Sequence, residues 1–254
     1  MNATTQRPSR SREGRAAPAT ALHEQLFTRL DSSIAELWAR ARTGRLWQRV
    51  TSRGMDRALY RLIMAQLYLY TRHNSINQAV AALRAQPHEL HLLRFVYDHA
   101  REELGHERMV LHDLGSCGLL EEGETIEEPL AATDALIGYL YGVALREGPV
   151  ARLGYSYWAE SAYEHIAPLL ASTRESLGLG DRQMTFFTAH AAIDARHAVE
   201  VREAIRRSVT TQEQAADVHR VAVTSLWLTI QILEHAFAVS PAPGPATADD
   251  GRAP

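Results

Sequence analysis

His190-Ala-Ala-Ile-Asp194-Ala-Arg-His197 sets two imidazoles and a carboxylate at positions i, i+4 and i+7. On an α-helix of 3.6 residues per turn these three side chains lie along one stripe, one above the other. A helix that buries such a stripe needs something cationic opposite it, because an unpaired carboxylate in an apolar interior is too costly to keep ionised. Nitrogen and oxygen donors converging from one helix therefore call for a metal and for further ligands elsewhere in the chain.

Outward from this stretch, the apolar residues recur with helical spacing. Leu22, Leu26, Leu30, Ile34, Leu37 and Trp38 give a first amphipathic helix over 21–41. Further helices are expected over 55–72, from Asn74-Ser75 to about 86, and over 88–114, 131–147, 150–177, 182–208 and 212–238, separated by Gly, Pro and polar stretches. No segment alternates as a strand does, and no repeat of fixed period is present. The predicted fold is an all-α bundle of seven or eight helices in one domain, 21–239, with disordered Pro- and Ala-rich tails at 1–20 and 240–254.

Composition removes several chemistries. All 27 basic residues other than histidine are arginine; a chain without lysine cannot form a Schiff base, attach pyridoxal phosphate or build a P-loop. A single cysteine, Cys117, excludes an intrachain disulfide, a cysteine-rich zinc site and a protein-ligated iron–sulfur cluster. The net charge of −3, with no sustained basic face, argues against a nucleic-acid partner. No run of 18 apolar residues suggests a membrane span, and Arg7, Arg10, Arg12 and Arg15 are not followed by an apolar leader core, so a cytoplasmic location is expected.

Two other helices offer ligands. In Glu102-Glu103-Leu-Gly-His106, Glu103 and His106 have the Glu-x-x-His spacing by which helix bundles present a carboxylate and an imidazole to a di-iron or di-manganese pair. Glu102 is also within reach of His106, and His99 lies a heptad earlier as a substitute. In Tyr157-Trp-Ala-Glu160-Ser-Ala-Tyr-Glu164-His165, Glu160 sits deeper in the apolar run than Glu164. The chosen set is Glu103, His106, Glu160, His190, Asp194 and His197, with Glu102, His99 and Glu164 as alternates. Hard oxygen donors mixed with imidazole, and no thiolate, suit divalent iron or manganese. Arg146 and Arg152 are candidate clamps for a substrate carboxylate, and Tyr157 a candidate hydroxyl toward substrate. Gly138 and Gly142 form a Gly-x-x-x-Gly expected to permit close helix packing or to receive a flat ligand.

With these motifs the chain resembles the haem-oxygenase-like di-iron oxidases and oxygenases, within the haem oxygenase, thiaminase-like and pyrroloquinoline quinone synthase superfamily. Those proteins carry a Glu and a His on one core helix, a Glu on a second, and His-x-x-x-Asp-x-x-His on a third. The resemblance covers 88–207 in motif and most of the chain in helix layout. It implies two Fe(II) per chain, dioxygen as co-substrate and oxidation of a small molecule, an amine, amino acid or fatty acid, by N-oxygenation, desaturation or C–C cleavage, often in a biosynthetic pathway. An electron donor and a homodimer through the apolar last helix are expected partners. Two alternatives stay open: a metal-independent oxidase or thiaminase-like enzyme using His and Glu as acid and base, and a non-enzymatic haem- or small-molecule-binding protein, for which His23 is the candidate proximal ligand.

Overall fold

The computed structural model of the chain describes residues 16–240, and for 16–19 and 192–195 the backbone alone. The tails expected at 1–15 and 241–254 lie outside the described residues. Eleven α-helices follow in order: α1 Ala16–Arg42, α2 Arg45–Arg53, α3 Arg57–Thr71, α4 Asn74–Ala81, α5 Leu90–Glu103, α6 Glu107–Ser116, α7 Ala131–Arg146, α8 Pro149–Ala159, α9 Ala162–Leu177, α10 Thr185–Ser208 and α11 Gln212–Val239. Single 3₁₀ turns cover Ala82–Arg84 and Asp181–Gln183, and no strand occurs among the described residues.

The all-α expectation holds, with more helical segments than the seven or eight anticipated. The surplus has local causes. Gly105 at φ +96° divides the expected 88–114 helix into α5 and α6, and the expected 150–177 helix is interrupted at Glu160–Ser161. The nine-residue α2 fits between Gly44 and Gly54 and was too short for a periodicity reading. Residues 16–20, expected in the tail, open α1, since a proline at position 18 is tolerated in a first helical turn.

The core is organised on α11, which packs on α8, α1 and α7. A capping box between Thr211 and Gln214 starts it. By length and apolarity it is the one described helix that could cross a membrane, but Val218, Val221, Ala222, Leu226 and Ile232 are buried against its neighbours. Its closest neighbour is α8, and Gly154 is the reason: a Cβ there would lie 2.1 Å from the Val218 carbonyl oxygen. The Gly138–Gly142 pair does not pack a helix. Gly138 has open space around it, and a Cβ at Gly142 would meet the Arg146 side chain of its own helix.

Asp113, fully buried in α6, caps α10 from a distance. Its Oδ1 accepts from Thr185 N at 2.9 Å and Thr185 Oγ1 at 2.6 Å, and its Oδ2 from Phe186 N at 2.9 Å. The charge sits where the helix N-terminus is positive. This bond ties the helix that carries His190 and His197 to the one that begins beside His106.

Gly154→Ala must push α8 away from the α11 backbone. The expected cost is about 3 kcal/mol, a fall in melting temperature of roughly 6 °C or more in thermal denaturation; an unchanged melting temperature would contradict the close approach.

Candidate metal centre

Two interruptions between helices, at Leu104–Gly105 and Glu160–Ser161, and one long helix bring the predicted ligands together. Helix α5 carries His99 and Glu103, one turn apart and both buried. The chain then turns at Leu104–Gly105, which returns His106 to Glu103, with His106 Nδ1 3.5 Å from Glu103 Oε1. The pair meets through this turn and not by stacking along one continuous helix. Glu160 is the residue at which α8 ends, and its neighbour Trp158 is pinned to α11 by an indole N–H to Ser225 Oγ bond of 2.8 Å. Helix α10 supplies His190 and His197, about 10 Å apart along its axis at 1.5 Å per residue.

The side chains gather into two groups. In one, His99, Glu160 and His197 bring one ligand atom each to within 4.8 Å of the others; in the other, Glu103, His106 and His190 do the same. Within the first, His99 Nε2 is 3.1 Å from Glu160 Oε1 and His197 Nδ1 is 3.2 Å from Glu160 Oε2. The groups adjoin, with His197 Nδ1 3.9 Å from Glu103 Oε1.

Outer hydrogen bonds decide which nitrogen each imidazole can offer. His190 Nδ1 donates to the Phe186 carbonyl at 2.7 Å, which leaves the Nε2 lone pair free. His197 Nε2 lies 2.8 Å from Glu102 Oε2, which also accepts from Arg196 at 2.7 Å, so Nδ1 is the atom turned toward Glu160. His106 Nδ1 is buried with no hydrogen-bond partner, its 3.5 Å distance to Glu103 being too long for one. A buried, unpartnered imidazole nitrogen beside a carboxylate and a second imidazole is the donor set a cation completes, so the residues fit a metal.

The electrostatics agree. Burial would raise the Glu160 carboxyl, but hydrogen bonds from His197 and His99 outweigh it and hold the group at about 2. Burial would likewise lower His197, and its contacts with Glu160 and Glu102 instead lift it to about 9. Glu103 is held below the ordinary carboxylate range, burial notwithstanding, by His106. Contact with Glu103 likewise raises His106, whereas burial lowers His190, so in the metal-free protein protons on His197 and His106 occupy the place that a cation would take.

Of the residues chosen from sequence, Glu103, His106, Glu160, His190 and His197 are brought together, and the alternate His99 joins them. The Asp194 side chain lies outside the described residues. Glu102 stands behind His197, and Glu164 is exposed in a separate cleft with Asp31, His165 and Arg202. The three substrate-contact candidates are corrected. Arg152 is buried and its guanidinium is spent on Asn74, Asn77, Gln78 and Ser156. Arg146 is exposed and bonds to Gly142 of its own helix. Tyr157 points to α1, its hydroxyl donating to Asp31 Oδ1 at 2.6 Å. His23 bonds to the Val209 carbonyl oxygen, and neither it nor Cys117, whose thiol burial pushes up, lines the cavity described next.

A cavity of about 130 Å³ opens on Glu103, Glu160 and His190 between aromatic walls of Tyr70, Tyr155, Trp158, Tyr163, Phe186 and Phe187. It meets a second of about 120 Å³ at Leu67, Tyr70, Trp158, Ala162, Ile166 and Phe187, and that one continues among Ile63, Met64, Leu169, Leu170 and Ile232 with no charged residue among the described residues of its lining. Behind the ligands, Asn74 and Gln78 hydrogen-bond Glu103 and His99. Sequence reading took Asn74, with Ser75, only as a stop and restart between helices and did not single out Gln78; the clue was Asn74, Asn77 and Gln78 at i, i+3 and i+4, a polar helical stripe.

Removing the α10 cap by Asp113→Ala leaves three donors unpaired and is expected to cost about 2 kcal/mol, a drop of roughly 4–8 °C in melting temperature. Amide exchange should accelerate first at Thr185 and Phe186. Unaltered exchange there would show that the cap does not hold α10.

The sequence model of a family described as iron-containing redox enzymes matches residues 61–229. Among solved structures, a domain of unknown function with a haem-oxygenase-like fold from Shewanella denitrificans is 39% identical, with a TM-score of 0.79 over 84% of this chain and 92% of that one. A TenA homologue from Pseudomonas syringae has a TM-score of 0.68 at 16% identity, covering 93% of this chain and 100% of that one. A CADD-like protein of unknown function from Nostoc punctiforme has a TM-score of 0.64 at 16% identity, covering 87% and 98%. The last two likenesses show the fold alone. Among curated proteins no sequence matches.

Proposed function

This chain belongs to the iron-containing redox enzyme family, and on that premise we propose that it is a non-haem di-iron oxygenase or oxidase that uses dioxygen to oxidise a small molecule with an apolar body. The observation that carries this reading is the pair of adjoining triads, each of two imidazoles and one carboxylate. Two histidines and one carboxylate with open positions is the ligand set of non-haem Fe(II) oxygenases. Glu103, His106 and His190 would hold one ion, and His99, Glu160 and His197 the other. When bound, iron supplies the reduction of dioxygen, which no side chain can perform alone.

The chain's own residues supply the rest. His190 and His197 are held by Phe186 and Glu102 with a defined nitrogen facing inward. The aromatic walls exclude water from the reacting position. The second cavity receives an uncharged, apolar portion of the substrate by burial. Among the described residues no arginine lines either cavity, so a substrate carboxylate has no side-chain cation to clamp it and would lie at the metal end, while an amine would be drawn to the same end by Glu103 and Glu160. A thiaminase-like reaction would want a nucleophile in this cavity, and Cys117 is not there.

Anaerobic loading with ferrous ion should give two irons per chain, with oxygen uptake accelerated by one of a panel of carboxylic acids and amines of graded chain length. His190→Ala should lose one iron and the oxygen uptake. No iron binding, or undiminished activity in His190→Ala, would sink the proposal. Leu170→Trp, which fills the far cavity, should lower kcat/KM for the longest accepted substrate about tenfold or more and spare the shortest.

A further inference from the structure

Arg152 is 3% exposed, and no carboxylate among the described residues lies within ion-pairing distance of it. A buried charge without a counter-ion is costly and needs full hydrogen bonding to persist. Here it has that: Nε donates to Asn77 Oδ1 at 2.6 Å, Nη1 to Gln78 Oε1 at 3.0 Å and Ser156 Oγ at 3.2 Å, and Nη2 to Asn74 Oδ1 at 2.6 Å and the Asn74 carbonyl at 3.3 Å. Every acceptor is neutral. Burial brings the guanidinium down to about 10, and among the charges that oppose this are Glu103 and Glu160, so it stays cationic at neutral pH.

We propose that Arg152 is a positioning residue that sets, through the amides of Gln78 and Asn74, which atom His99 offers to one metal position and which atom Glu103 offers to the other. The proposal rests on the two-metal reading for its ligands, and its geometry stands without it.

The logic follows from what each group can do. A guanidinium only donates, so Gln78 must turn its oxygen toward Arg152. That same oxygen is 3.0 Å from His99 Nδ1, and an amide oxygen only accepts, so Nδ1 carries the proton. Nε2, which hydrogen-bonds Glu160 at 3.1 Å, is thereby the nitrogen that gives up its proton when a cation binds. On the other branch, Arg152 draws Asn74 Oδ1, which turns Asn74 Nδ2 toward Glu103 Oε2 at 3.1 Å. That donor occupies Oε2 and leaves Oε1, the atom beside His106 and His197. Without the cation Gln78 is oriented only by a 3.4 Å bond from its Nε2 to the Val96 carbonyl and Asn74 only by its bond to Glu103, so a half-turn of Gln78 that sets an N–H against His99 is no longer opposed by the guanidinium and Asn74 is less firmly aimed at Oε2.

The test joins two readouts. In the metal-free protein, nitrogen-15 NMR of histidine should show His99 with a slowly exchanging, hydrogen-bonded Nδ1 proton. Arg152→Met should lose it, and Arg152→Lys, which still donates, should recover it at least in part. In cobalt(II) titration of the full chain, followed by the visible spectrum of the bound ion, the wild type should take up two ions. Arg152→Met should weaken both about 10- to 100-fold. Gln78→Leu should weaken only the position built on His99, Glu160 and His197, and Asn74→Leu only that of Glu103, His106 and His190. These two variants carry the test if Arg152→Met does not fold, as read from circular dichroism. A folded Arg152→Met that keeps the His99 proton and both cobalt affinities within threefold overturns the proposal, as do single-branch variants that weaken both positions equally. If the wild type binds no cobalt, the two-metal reading fails by itself, while loss of the His99 proton in Arg152→Met still establishes the positioning.

Discussion

Glu103 and Glu160 are carboxylates held inside a helical bundle, each less than a tenth exposed. Ionised carboxylates in such surroundings must be compensated at short range, and much of the interior is arranged to do so. Four imidazoles close around them, from α5, from the turn before α6 and from α10. One buried guanidinium stands behind the site at one amide's remove. A surface carboxylate, Glu102, backs His197 from the solvent side. The arrangement is cationic, anionic and cationic again from the inside out, which is what a cluster needs if it is to keep its charges without a wide opening to water.

The same constraint explains where the helices break. A residue in the middle of a helix can reach only what its own stripe faces, whereas one at a helix end or in a turn is freed from that stripe. Glu160 ends α8, Glu103 ends α5, and His106 follows the Gly105 turn. Only α10 crosses the site unbroken, and it is held at its start by Asp113 from α6. The stability to tolerate this polar interior comes from elsewhere. The α8–α11 contact is a close approach allowed by Gly154, and α1, α3 and α7 add a broad apolar core around it. Between that core and the two His and Glu triads lies the apolar cavity.

Much of this was legible in order of residues alone. Helical periodicity identified the long helices, because which face is buried repeats every 3.6 residues whatever the partner is. His190 and His197 were legible for the same reason, as was the choice of Glu160 over Glu164, since one lies in the apolar run and the other at a polar edge. The pairing of Glu103 with His106 was reached by the wrong geometry: spacing suggested a continuous helix, and the structure uses a turn at Gly105. His99 was seen only as a substitute, because nothing local shows that a ligand on α5 will face Glu160 from sixty residues away. Arg152 was misread as a substrate clamp. An arginine near a helix start is usually solvated, and its burial against Asn74, Asn77 and Gln78 depends on where α4 docks.

What the sequence by itself determined is the all-α class, the kind of donor atoms available, and the exclusion of every chemistry that needs a lysine or more than one cysteine. Tertiary structure alone decided the gathering of six His and Glu side chains into two triads, the side-chain nitrogen each histidine turns inward, and the burial of Arg152 away from both cavities. The reason is range. Periodicity and composition are properties of one segment, whereas ligand convergence and the orientation of a buried amide are set by helix ends distant in sequence that meet only when the bundle closes.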